Sequence, residues 1–223
     1  MGKQLLLLLF IFSLFAPFII LSPPAQAGMV IASFFFFMLA VFLASLGKKP
    51  SEALGQLGLL PKKGQSLAIL LLFGGATVVA CAAVSEAISL ILHFLGVLDV
   101  YLVQAKILSL PPPILLFAVT LAPLAEESLF RGAIFKKSFS FAIAASSKSA
   151  RDAHLPFLAS ALLSSALFSL MHVGYGSIAE LVVAFSIGMV LCMATARANS
   201  LIPAVVAHAC FNFASIIFTV ILA

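Results

Sequence analysis

Two adjacent carboxylates, Glu126 and Glu127, stand in an apolar run that reads Leu121-Ala122-Pro123-Leu124-Ala125-Glu126-Glu127-Ser128-Leu129-Phe130-Arg131-Gly132. Ionisable groups in such a run cost roughly 2.5–3.5 kcal/mol each to insert into a bilayer, so their presence needs a reason. Glu127 and Arg131 are four residues apart, share a helix face and can pair there. Glu126 points about 100° away and has no sequence-local partner. A carboxylate so placed suits a general base or acid. These charges could instead mark a helix end at the water boundary. Against that, the run continues through Ala133-Ile134-Phe135 to Lys136-Lys137. With the lysine pair at the interface, Glu126 lies about 15 Å deep.

Further polar residues lie on two later apolar segments. His172 ends Phe168-Ser169-Leu170-Met171-His172, and His208 and Asn212, again four apart, share a face. Any one histidine in a membrane helix is as readily an interhelical hydrogen bonder. Taken together the set supplies a base for water and donors for a developing oxyanion, which is what amide hydrolysis requires. Glu126, His172 and His208 also offer two nitrogens and one oxygen, with water as a fourth ligand, the arrangement of zinc hydrolases. No His-Glu-x-x-His is present. A divalent metal such as zinc and a metal-free site both remain open.

The elements that must position these residues follow from composition. Of the 223 residues 64% are hydrophobic and 9% charged, with a mean hydropathy of +1.27. A soluble domain carries roughly 25% charged residues. Apolar segments cover approximately 4–21, 29–46, 66–95, 113–137, 155–173, 178–196 and 201–222. The expected fold is all-α: a polytopic transmembrane helical bundle of about seven spans, one domain over 1–223, with 113–222 forming the catalytic core helices. Residues 1–27 are either a first span or a signal peptide, since Ala25-Gln26-Ala27 resembles a cleavage site.

Seven crossings place Lys3, Lys48, Lys49, Lys62, Lys63, Arg131, Lys136, Lys137, Lys148, Arg151 and Arg197 on one side, and only Lys106 on the other. That asymmetry makes the first side cytoplasmic. The expected protein is integral and multi-pass, with its N-terminus cytoplasmic if the first span is retained and its C-terminus outside. The net charge of +5 therefore reads as topology and not as nucleic-acid binding. On this topology His172 falls about 10 Å nearer the outer surface than Glu126, which tilt or an early start of its helix must absorb.

Glu126-Glu127-x-x-x-Arg131, Phe168-x-x-x-His172 and His208-x-x-x-Asn212, in that order, resemble the motifs of the CPBP (CAAX protease and bacteriocin-processing, or Abi) family of intramembrane endopeptidases, similar to type II CAAX prenyl endopeptidases. The resemblance covers residues 122–212. It implies that Glu126 activates a water with help from His172, that His208 and Asn212 stabilise the oxyanion, and that Glu127 and Arg131, with Phe168, keep the site in shape. It also implies a peptide or protein substrate met at the lipid bilayer. Two other functions fit the same residues: a non-catalytic immunity or scaffold protein, and a proton-coupled transporter. The sequence lacks the internal repeats expected of a transporter.

Other polar residues read as structural. Glu86 is expected to make an interhelical contact and shares a face with His93. Glu180 is expected at the outer interface, and His154 in a solvated loop. Phe34 to Phe37 are expected to face lipid. Cys81, Cys192 and Cys210 lack metal or disulfide spacing and read as packing residues. Lys136, Lys137, Lys148 and Arg151 form a basic stretch that could touch anionic lipid but is expected to do no more than fix orientation.

Overall fold

The computed structural model describes residues 2–22, 24–46, 52–145 and 153–222. In lipid every backbone polar group must be satisfied within the chain, and long apolar runs do this as helices. The helices are α1 (Gly2–Leu21), α2 (Pro24–Ser45), α3 (Ala53–Leu57), α4 (Leu67–Phe94), α5 (Val100–Leu108), α6 (Pro112–Val119), α7 (Leu121–Glu127), α8 (Lys136–Ala145), α9 (His154–Leu170), α10 (Ile178–Ala198) and α11 (Ile202–Leu222). A π-helical stretch, Ser128–Phe135, joins α7 to α8, and a 3₁₀ turn, Val173–Tyr175, follows α9.

Among the described residues, five helical segments are long and apolar enough to cross a membrane: Gln26–Ser45, Leu67–Phe94, His154–Tyr175, Ile178–Ala198 and Ile202–Leu222. A sixth arises if α6 and Leu121–Ala145, bent by 40° at their junction, count as one broken span. The N-terminal helix adds the shorter apolar stretch Phe12–Leu21. The expected order of membrane segments is thus present, in an all-α bundle.

The fourth segment departs from one straight helix, and Pro123 supplies the reason. Proline has no N–H for the carbonyl four residues back, here that of Val119, and its ring crowds that turn. The chain breaks at Thr120 (φ −123°, ψ −82°), and Pro123 then sits in the first turn of α7, where its missing N–H costs little. The π stretch that follows is buried around almost its whole girth, from Ser128 to Ala133 and at Phe135. It packs against α2, α3, α8, α9 and α10, and so forms the axis of the bundle. Such stretches are frequent at functional sites.

Small residues let the neighbouring helices close in. A Cβ on Gly74 of α4 would lie 2.8 Å from Val206 of α11, and one on Gly188 of α10 would lie 2.9 Å from Ser165 of α9. Close approach through small residues is how membrane helices gain packing contacts without a hydrophobic driving force. Ser164 of α9 donates to the Phe130 carbonyl at 2.8 Å and ties α9 to the π stretch.

The two ends of the bundle differ in charge. At one end Lys62 donates to Asn199 Oδ1 and Lys136 to the Leu57 carbonyl, each at 2.6 Å. At the other, Asp99 meets the start of α10. Lys62, Lys136 and the segment carrying Arg197 thus share an end, as the charge count expects. Arg131 does not belong in that count, because it is fully buried against Glu127. Lys48, Lys49, Lys148 and Arg151 lie outside the described residues, as do the side chains of Lys3 and Ala25.

Two other expectations need correction. Four consecutive helical residues cannot face one way at 100° per residue. Phe35 is exposed, Phe37 is in the core, and Phe34 and Phe36 pack on Phe15 and Phe130. Glu86 is exposed and has no hydrogen bond or ion pair to another helix among the described residues, because the buried face of α4 runs through Leu70, Gly74, Thr77 and Cys81. α4 has 28 residues, so at about 42 Å it outruns a hydrocarbon core of about 30 Å. Glu86 lies in its last three turns. The short helices α3 and α5 fall where only connections were expected.

Candidate active site

The bend and the π stretch bring the end of α7 to the centre of the bundle, where Glu127 and Arg131 are both fully buried. Arg131 Nη1 donates to Glu127 Oε1 at 2.8 Å. His208 of α11 places Nδ1 2.9 Å from the same oxygen. A carboxylate oxygen accepts, so Nδ1 carries the proton of that bond. The other ring nitrogen, Nε2, then faces Glu126, 3.9 Å from its Oε2. That gap is too wide for a direct hydrogen bond and suits one water touching both atoms. Glu126 is 22% exposed, whereas Glu127 is sealed. The two adjacent carboxylates thus face different surroundings.

Phe168 holds this centre together. Its ring lies under the Arg131 guanidinium, 4.2 Å from the central carbon, a cation–π contact. It also meets the His208 ring edge-on at 5.6 Å and the His172 ring at 4.7 Å. Phe168 ends the buried face of α9 that runs through Ser160, Ser164 and Ser165.

His172 comes near the site without touching Glu126. It lies just past α9, with Nδ1 3.0 Å from the Phe168 carbonyl. A carbonyl accepts, so Nδ1–H donates and Nε2 points to Glu180, 3.9 Å away. The depth offset expected for His172 is bridged by Phe168, which contacts both histidines. Asn212, one turn after His208, spends an amide hydrogen on the Ala118 carbonyl at 2.9 Å. That carbonyl belongs to the last turn of α6, where carbonyls lose their helical partners. Thr120 treats the Leu116 carbonyl similarly, through its hydroxyl. Asn212 therefore fastens α11 to the break that positions Glu126.

Glu180 and Tyr175 are the residues that sequence reasoning missed. Gly176 takes a left-handed conformation (φ 72°), and the chain folds back so that α10 begins beside His172. The Tyr175 ring stacks on His172 at 5.9 Å. Glu180, expected at the outer interface, instead faces His172. The signal was in view: Gly174-Tyr175-Gly176 is a tight turn, and it has an ionisable residue on either side.

Asp99 fixes the start of α10. Its carboxylate accepts from the Ser177 hydroxyl at 2.6 Å and from the Ile178 and Ala179 N–H groups at 2.8 and 3.0 Å. Ser177 in turn accepts from the Glu180 N–H. The Ser177 hydroxyl first, then these backbone donors, hold the Asp99 carboxyl below its ordinary value of 3.8. A group depressed on folding stabilises the fold above its unfolded value, and loses that effect as pH falls through the folded one. Asp99→Asn is expected to destabilise the protein by about 1 kcal/mol at neutral pH. The difference from wild type should vanish in thermal melts taken well below pH 3.8. A pH-independent difference would contradict this account.

The metal set Glu126, His172 and His208 does not fit this geometry. Among the described residues no three His, Cys, Asp or Glu side chains come together so as to hold a metal ion. Nδ1 of each histidine is already engaged, and Nε2 of His172 is turned to Glu180.

Residues 108–214, a stretch that contains every residue of this cluster except Asp99, match the family model described as type II CAAX prenyl endopeptidase Rce1-like. No curated protein and no solved structure matches the chain.

Proposed function

We propose, on the match of residues 108–214 to the type II CAAX prenyl endopeptidase Rce1-like family, that the chain is an intramembrane peptidase that cleaves a membrane-associated peptide or protein tail with a water activated by Glu126. The observation that carries this is the His208 ring, set between two carboxylates of unlike exposure. Glu127 fixes Nδ1, which leaves Nε2 and Glu126 to act on whatever occupies the gap between them.

In this mechanism Glu126 takes a proton from water as the water oxygen attacks the carbonyl carbon. Nε2–H of His208, in its doubly protonated form, donates to the oxyanion, and burial strengthens that bond. The second amide hydrogen of Asn212 is a further donor. Glu126 then returns its proton to the leaving nitrogen as the C–N bond breaks. Arg131 offsets the charge of Glu127, and Phe168 fixes the Arg131, His172 and His208 planes. His172, with Glu180 beside it, lines the site at its outer edge. The lysine-rich end faces the cytoplasm and the C-terminus lies outside. The family description names a prenylated tail, and such a tail is the first substrate to try.

The test is cleavage of lipid-anchored peptides by the full chain in vesicles, with products identified by mass spectrometry. We expect one new terminus with wild type. His208→Gln, which keeps a donor for Glu127, should cut the rate by about 10²–10³. A folded wild-type protein that cleaves none of a broad panel would overturn the proposal, as would undiminished cleavage by His208→Gln.

A further inference from the structure

At the lysine-rich end of the π stretch lies a cavity of about 460 Å³. Gly132 and Thr195 line it beside the π stretch, and Lys62, Lys136, Lys137 and Asn199 line it where the helices end. No carboxylate lines it among the described residues. Lys62 and Lys136 are close enough for the charge of one to act on the other. Each spends one of its three hydrogens inside the protein, on Asn199 Oδ1 and the Leu57 carbonyl. An ammonium has three donors, so two remain on each. Thr195 is 1% exposed, and its hydroxyl has no hydrogen-bond partner among the described residues. Leu46 and Phe139 give the same cavity apolar wall.

Three cations turned on one cavity without a neighbouring acid repel one another, and an anion relieves that repulsion. The volume exceeds what one small ion needs, and the mixture of ammonium, hydroxyl and apolar wall suits a phosphate that carries an organic group. We propose that this cavity binds a phosphate-bearing headgroup of net negative charge, with Lys62, Lys136 and Lys137 on the phosphate oxygens and Thr195 donating at the inner end. The site does not depend on the hydrolytic activity. It gives the basic stretch around Lys136 and Lys137 a ligand as well as an orientation.

Full-length protein is purified into nanodiscs of phosphatidylglycerol or phosphatidylcholine, and retained lipid is read by native mass spectrometry after transfer to detergent. Thermal stability is followed in detergent with added phosphatidylglycerol or with glycerol phosphate. We expect selective retention of one phosphatidylglycerol per chain and a melting shift that phosphatidylcholine does not give. A shift with phosphatidylglycerol alone identifies a lipid as the source of the phosphate, and an equal shift with glycerol phosphate identifies a soluble ligand. Lys62→Met and Lys137→Met should each weaken binding roughly fivefold. Lys136→Met also cuts a tie to α3, so Thr195→Val serves as the near-isosteric variant and should weaken binding with little change in the unliganded melt. Equal retention of both lipids with no glycerol phosphate effect would overturn the proposal, as would variants that bind like wild type.

Discussion

Arg131→Met is expected to cost about 3–5 kcal/mol of stability, because it leaves the Glu127 carboxylate buried without its cation. Both side chains are fully buried, and their contact is a charge-assisted bond of 2.8 Å. Among the described residues Glu127 Oε2 has no hydrogen-bond partner, and the remaining His208 contact falls on Oε1, the oxygen that Arg131 already holds. The guanidinium also fills the space between Phe168 and Gly188, where a Cβ would lie 3.0 Å from Nη2. Methionine keeps most of that volume, so the loss reports charge more than packing. The double variant Glu127→Gln/Arg131→Met removes both charges and should regain much of the loss, since no buried charge is then left uncompensated. Unfolding in detergent, followed for the two variants and wild type, measures this. A single variant no less stable than the double would mean that the buried Glu127 carboxylate does not depend on Arg131 for its charge compensation.

That pair was legible from the sequence because four-residue spacing fixes a helix face whatever the tertiary structure does. The membrane segments were legible for a similar reason: apolar runs of bilayer length leave the backbone one choice. What the sequence hid were consequences of breaks. Pro123 signalled a weak point, but not that the bend would fall at Thr120, or that Asn212 would be drawn to the Ala118 carbonyl. His208 reads as a partner for a reacting oxygen, yet nothing in its spacing says that it bonds Glu127 first. Glu180 was passed over because apolar flanks suggest an interface, whereas the turn at Gly176 points it at His172. Local periodicity fixes faces. Which faces meet depends on where the chain bends, and a bend is set by a few residues whose effect is not local.

Adjacent carboxylates with unlike surroundings should respond differently to the same change, and this separates chemistry from architecture. Glu126→Gln is expected to lower the cleavage rate by about 10²–10⁴, the worth of a positioned proton acceptor, while leaving the melting temperature near wild type. Its carboxylate is 3.9 Å from His208 and partly exposed, so an uncharged amide there strands no buried partner. Glu127→Gln should lower both rate and stability. The amide presents one oxygen to Arg131 and His208 without the charge that strengthens both bonds, and it can turn its NH₂ toward two donors. The His208 ring then loses the partner that fixes its orientation, and Nε2 no longer faces Glu126 in one defined position. Rates on one lipid-anchored peptide, with melts of the same samples, resolve the two cases. If Glu127→Gln kept its stability and lost activity while Glu126→Gln cleaved normally, the roles would be reversed. Water activation would then belong to the buried carboxylate, and the gap between Glu126 and His208 would have no part in the reaction.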